Sequence, residues 1–290
     1  MRVKPAIVFL VLVFVFILFS FPNSALAESS KSLTLSPLRT EFDIAPGTSK
    51  QGKLTIDNPS DKDLTVDLSS EAFSVINRQY DYAFDSTTEL SKWVTFSDNN
   101  FSLKSGESKI VQYIVGVPIS SEPGGRYISL FASTDTTNDG SIVNSRQRIG
   151  SLLYITVSGD VTRNGNLLTM SSPTFVGDSS NFSITLQNTG TTHFTSRYSV
   201  DVKNVLDGKT IKSTSNESLI LPATVRTILG KIPAPKWPGL YKIEYNIGLG
   251  DMPAITKSNY IIYVNPATWI IVAIITVLTL GIFIVKKIKR

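Results

Sequence analysis

The chain contains no cysteine and one histidine, and it has hardly any stretch of sustained helical period. Without cysteine there is no disulfide, no thiolate nucleophile and no thiolate-ligated metal, so stability must come from packed cores. The lone histidine, His193, follows the turn Asn188-Thr189-Gly190 and reads as a loop or strand-edge residue. A Gly-x-Ser-x-Gly elbow is absent, and nothing singles out a serine that His193 would activate. Gly124-Gly125 and Gly248-Leu249-Gly250 lack the Lys-Ser/Thr that a phosphate loop needs. The acidic set Asp57, Asp61, Asp63 and Asp67 is interrupted by Lys62 and lacks the glycine and terminal glutamate of a calcium loop, so it reads as a solvated hairpin face. No catalytic residue, metal or cofactor is expected, and the chain is read as a non-enzyme.

An excess of one charge sign is also missing once the ends are set aside. The formal net charge is +5, but six of the 28 lysines and arginines lie at the termini: Arg2, Lys4, Lys286, Lys287, Lys289 and Arg290. The remaining 22 face all 23 aspartates and glutamates, a net of −1, which removes the case for nucleic acid.

Those terminal charges flank the two apolar runs. Arg2 and Lys4 precede a run from Ala6 to Phe21 that reaches Ala25-Leu26-Ala27, the pattern of a secretory signal cleaved between Ala27 and Glu28. The run from Trp269 to Val285 gives about 17 to 19 residues, roughly 27 Å of helix, enough to cross a bilayer. The lysines and arginine beyond it would hold that end in the cytoplasm. The expected organisation is a signal peptide over 1–27, an exported region over 28–265, a transmembrane helix over 266–285 and a basic tail over 286–290. The protein is placed in the cell membrane, single-pass, with its bulk outside.

The exported region is written in short alternating runs broken by turns. Leu54 and Ile56 alternate with polar residues up to Asn58-Pro59-Ser60-Asp61, and Leu64, Val66 and Leu68 resume the alternation. After Ser158-Gly159-Asp160 the same grammar restarts. Phe182, Ile184 and Leu186 lead through Asn188-Thr189-Gly190 to Tyr198, Val200 and Val202. The reading is all-β: two tandem immunoglobulin-like β-sandwich domains, 28–158 and 159–265, with few contacts crossing the linker between them. Phe73 to Phe101 interrupts the pattern with Tyr80, Tyr82, Phe84, Trp93 and Phe96. Insertions of this kind commonly bind, although such aromatics also form satellite cores. Tyr80, Tyr82, Trp93 and Arg126 are the candidate ligand-binding residues, since aromatic faces stack on sugars and arginine pairs with carboxylates or phosphates.

The order of pieces resembles the WxL-interacting proteins, exported surface proteins of Gram-positive bacteria. The residues that carry it are Leu35-Ser36-Pro37, Ile44-Ala45-Pro46-Gly47, Leu54 to Lys62, Leu103 to Ser108, Val117-Pro118, Pro123-Gly124-Gly125-Arg126-Tyr127 and, most specifically, Arg148 to Asp160. In the second half the likeness rests on Leu186 to Gly190, Leu221-Pro222 and Gly239-Leu240-Tyr241. The resemblance implies a peptidoglycan-binding first domain and a second domain that engages a partner surface protein or a host ligand, ahead of a membrane helix and basic tail. The expected function is a membrane-anchored surface protein holding cell-wall peptidoglycan, an attached polymer or another surface protein of WxL type. The alternative is a structural stalk or a scaffold or sensor subunit of a membrane complex that binds no glycan.

Overall fold

Period-two alternation turns most of the described chain into strands. The structure is a computed structural model describing residues 33–137, 144–178 and 180–265, together with Val272, Ile275, Thr276 and Thr279, which are helical. Ala27, Glu28 and the rest of both apolar runs lie outside the described residues. Among the described residues no helix is long and apolar enough to cross a membrane.

The first ten strands are β1 (Thr34–Ser36), β2 (Arg39–Ile44), β3 (Ser49–Asp57), β4 (Leu64–Val75), β5 (Tyr82–Asp85), β6 (Val94–Phe96), β7 (Asn100–Leu103), β8 (Ser108–Gly116), β9 (Gly124–Thr137) and β10 (Asn144–Val157). They form one sheet ordered β1-β3-β8-β6 and another ordered β2-β10-β9-β4-β5, with β7 also on β4. Leu54, Ile56, Val66, Val115, Ile128 and Ile155 point inward from these two sheets and are fully buried in one core. The segment read as an interruption supplies β5, β6, β7 and a short 3-10 turn, Glu89–Trp93.

The remaining strands are β11 (Gly165–Ser171), β12 (Phe175–Val176), β13 (Asn181–Asn188), β14 (Phe194–Asn204), β15 (Thr210–Ile220), β16 (Val225–Lys231), β17 (Gly239–Leu249) and β18 (Met252–Tyr263). Their sheets run β11-β13-β16 and β12-β18-β17-β14-β15. The plan of the first pair recurs: β2 lies parallel to β10, and β12 lies parallel to β18. Ile184, Leu186, Val200, Val202, Ile243 and Ile247 fill the second core.

The two asparagines at matching turns show why the plan repeats. Asn58 is buried, and its Nδ2 donates to the carbonyls of Lys62, Leu103 and Lys104 at 2.8, 3.1 and 3.0 Å while its Oδ1 accepts from Ser60. Asn188 is also buried. It donates to the carbonyls of Thr192 and Ile220 at 2.9 and 2.8 Å and accepts from the Gly190 amide. Each amide satisfies backbone groups that a turn entering a core would otherwise leave unpaired.

The expectation of few contacts across the linker is not met. Phe73, Tyr80, Tyr127 and Tyr154 of the first half belong to the same buried cluster as the second core. Hydrogen bonds cross as well: Gly125 N to the Thr191 carbonyl at 3.0 Å, Thr227 N to the Arg78 carbonyl at 2.8 Å, and Thr156 to Thr192 through their hydroxyls at 3.1 Å. The physical reason is that one end of the larger first sheet is aromatic on its outer face and is covered by the second sandwich.

Candidate functional site

Inward and outward residues alternate along β9: Ile128, Leu130 and Ala132 enter the first core, so Tyr127, Ser129, Phe131 and Ser133 face the other way. The pairing registers put Phe73 opposite Phe84 and Val75 opposite Tyr82, bringing an aromatic row onto this outer face. Ring centroids of Phe73 and Tyr82 are 5.4 Å apart, and those of Phe84 and Phe131 are 5.0 Å apart, both edge-on. Phe131 lies against Gly150, where a Cβ would come within 2.8 Å of the ring. Above Phe131 the Arg148 guanidinium sits 3.2 Å from the ring centroid, and its Nη2 meets Glu71 Oε2 at 2.7 Å. Tyr82 and Phe84 remain 38% and 42% exposed, so the row has an open end.

The four residues singled out from sequence do not converge. Tyr82 lies in this row. Tyr80 does not: it is 6% exposed and reaches into the second sandwich, which corrects its reading as a ligand contact. The Asn77 side chain accepts from the amides of Gln79 and Asp81, and this turn holds Tyr80 at a left-handed φ of 71°. The Tyr80 hydroxyl accepts from the Leu221 amide at 2.8 Å and meets Thr224 Oγ1 at 2.6 Å, with the Arg226 guanidinium 4.3 Å over its ring. Burial pushes its phenol up from the ordinary value. Trp93 is half-buried and packs against the first core, so it is a core-edge residue. Arg126 donates to the carbonyls of Gly125 and Glu122 at 2.9 and 3.1 Å, which folds its guanidinium back over the turn that starts β9. Phe131 and Arg148 were missed as site residues. The available signal was that β9 carries large apolar or aromatic side chains on both faces, which a half-exposed strand does not need.

At the other end of the same face the second sandwich closes down. His193 sits in the loop immediately before β14, as expected, and is buried there between Tyr127 and Tyr154, with ring centroids at 5.6 and 5.4 Å. Burial pushes its imidazole down to about 4, against the opposing pull of Glu41. The same burial pushes the Tyr127 and Tyr154 phenols far up, so both stay neutral. A polar cleft of about 270 Å³ opens beside His193, lined by Glu41, Asp43, Arg163, Arg197 and Asp251. Among the described residues no group of histidines or carboxylates is placed to hold a metal ion.

Neither a family model nor a curated protein matches this chain. Among solved structures it is similar to the class 5 fimbriae chaperone CfaA, at 9% identity over 79% of this chain and 99% of that one, TM-score 0.42. It is also similar to the YadV chaperone, at 11% identity over 79% and 99%, TM-score 0.41. A third is the Salmonella enterica SafA pilin in complex with the SafB chaperone, at 13% identity over 81% and 98%, TM-score 0.42.

Proposed function

We propose that the chain is a non-enzymatic, membrane-anchored surface protein with two immunoglobulin-like domains, whose first domain holds peptidoglycan or an attached wall polymer. The observation that carries this reading is the open aromatic row, Tyr82 and Phe84, ending at the Arg148 guanidinium stacked on Phe131. Flat rings beside a cation suit a sugar face next to a carboxylate or phosphate. The resemblance to WxL-interacting proteins in Arg148 to Asp160 supports the same assignment, since Arg148 opens that run. Removing both exposed rings should weaken retention by about 1–3 kcal/mol, on the order of ten- to a hundredfold in affinity.

The test is co-sedimentation of the detergent-solubilised full chain with purified wall sacculi, comparing wild type with Tyr82→Ala/Phe84→Ala. Both exposed rings leave the first core intact, so circular dichroism should be unchanged while retention falls. Equal sedimentation of the two proteins removes this face as the site. Failure of the wild type to sediment favours the second reading, a stalk or scaffold, for which the packed junction around Tyr80 is the supporting observation.

A further inference from the structure

The second sandwich has two unlike ends. One carries Thr192, His193 and Leu221 and packs on the first sandwich. The opposite end gathers the turn 204–209, the loop 232–238, β12 and the point where the chain leaves β18. The registers place them together: Asn204 is opposite Tyr241, while Gly239 and Val176 both pair with Tyr263.

This far end exposes large apolar side chains on well-formed backbone. Leu206 is 95% exposed at the tip of its turn, yet the turn is closed by Asn204 N to the Lys209 carbonyl at 2.9 Å and Leu206 N to Asn204 Oδ1 at 2.8 Å. Trp237 is 68% exposed, and its carbonyl accepts from the Tyr241 hydroxyl at 2.7 Å. Phe175 and Leu240, exposed as well, flank Ile262 in one row across the sheet. Turn tips normally carry polar residues, so a leucine and a tryptophan held outward, together with Phe175 and Leu240, mark this end as a candidate contact surface.

Charge and chain length indicate which partner. Lys231 and Lys236 are exposed around the apolar residues, with the Lys236 ammonium 5.8 Å over the Trp237 ring. The acids at this end are engaged: Asp207 faces Lys209 at 3.9 Å, and Asp178 accepts from the Tyr263 hydroxyl. Tryptophan beside lysine is the pairing found at the headgroup level of a bilayer. From Tyr263 to the start of the apolar run at Trp269 is six residue steps, at most about 20 Å of extended chain.

We propose that this end of the second sandwich docks on the bilayer itself, with Leu206, Trp237, Leu240 and Phe175 entering the headgroup region of a phospholipid surface and Lys231 and Lys236 meeting lipid phosphates. The inference rests on the reading of 269–285 as a membrane-crossing segment. It goes beyond that reading because a tether alone leaves the sandwich free of the lipid.

The test uses the full chain reconstituted into vesicles of phosphatidylcholine and phosphatidylglycerol, with alkaline washing and flotation as a separate check of the anchor. Trp93→Phe/Trp269→Phe leaves Trp237 as the only tryptophan, and the absence of cysteine makes Leu206→Cys a single labelling site. Lys104→Cys, exposed in the first sandwich, is the control. The expected result is that Trp237 and a probe at position 206 lose most of their emission to nitroxide lipids and resist aqueous iodide, while a probe at 104 does the reverse. Lys231→Glu/Lys236→Glu should reduce the lipid quenching. If the chain floats after washing but positions 237 and 206 are quenched by iodide and spared by lipid nitroxides, docking is refuted with the anchor intact. Quenching by lipid at position 104 as well would refute the end-on orientation. A chain that does not float refutes the anchor and the docking together.

Discussion

Tyr80→Phe tests whether the two sandwiches are one cooperative body. The Thr224 hydroxyl donates to the Leu221 carbonyl at 2.8 Å, so its contact with Tyr80 at 2.6 Å must be an acceptance. The Tyr80 hydroxyl therefore donates to Thr224 and accepts from the Leu221 amide, closing a ring of three hydrogen bonds at the junction. Phenylalanine preserves the ring under Arg226 but leaves a buried N–H without a partner, which costs about 1–3 kcal/mol. At a urea m-value of ~3 kcal/mol/M the midpoint should fall by about 0.3–1 M. The assay is urea unfolding of residues 28–265, followed by Trp93 of the first sandwich in a Trp237→Phe background and by Trp237 of the second in a Trp93→Phe background. Both probes should shift together if the junction couples the sandwiches. A cycle with Thr224→Val should return a coupling energy of at least about 0.5 kcal/mol. A midpoint unchanged within error, or a shift confined to one probe, would refute the argument.

Asn58→Ala and Asn188→Ala should each cost about 3 kcal/mol, because several backbone groups at a buried turn lose their partners at once; thermal unfolding checks this, and a loss under about 1 kcal/mol at either position would contradict it. His193 should make stability depend on acid. Its folded value, about 4, lies below the unfolded value of 6.5, so the unfolded state takes the proton first. Its contribution is full above pH 6.5 and is lost as pH falls toward 4, on the order of 3 kcal/mol in all. His193→Gln should flatten the difference between unfolding curves in that window, and parallel pH profiles for the two proteins would sink the assignment.

Much of the strand pattern was legible because burial on one face imposes alternation: Leu54 and Ile56, or Ile184 and Leu186, can be assigned to a core from spacing alone. The turns at Asn58 and Asn188 were legible as turns. Their burial was not, because an asparagine earns that place through carbonyls 45 or 32 residues away. Tyr80 looked like a binding aromatic since loop aromatics usually are exposed; its partners Leu221 and Thr224 lie more than 140 residues on. The burial of His193 and the place of Arg148 beside the aromatic row were not legible for the same reason. Which side chains share an outer sheet face depends on strand order, and local sequence carries little of that order.

The route by which tension would cross the second sandwich follows from β18. The chain enters this sandwich near Asn164, which bridges to Gly250, and leaves it after Tyr263 at the far end. A pull between those points is directed along β18, parallel to the strand axis. From Ile255 to Tyr263 that strand pairs with β17, and at its end it also pairs with β12 on the other side. The hydrogen bonds joining these strands lie across the direction of the pull, so they are loaded in shear and must fail together rather than open one after another like a zipper. The strand that carries the chain out of the fold is thus also its mechanical clamp.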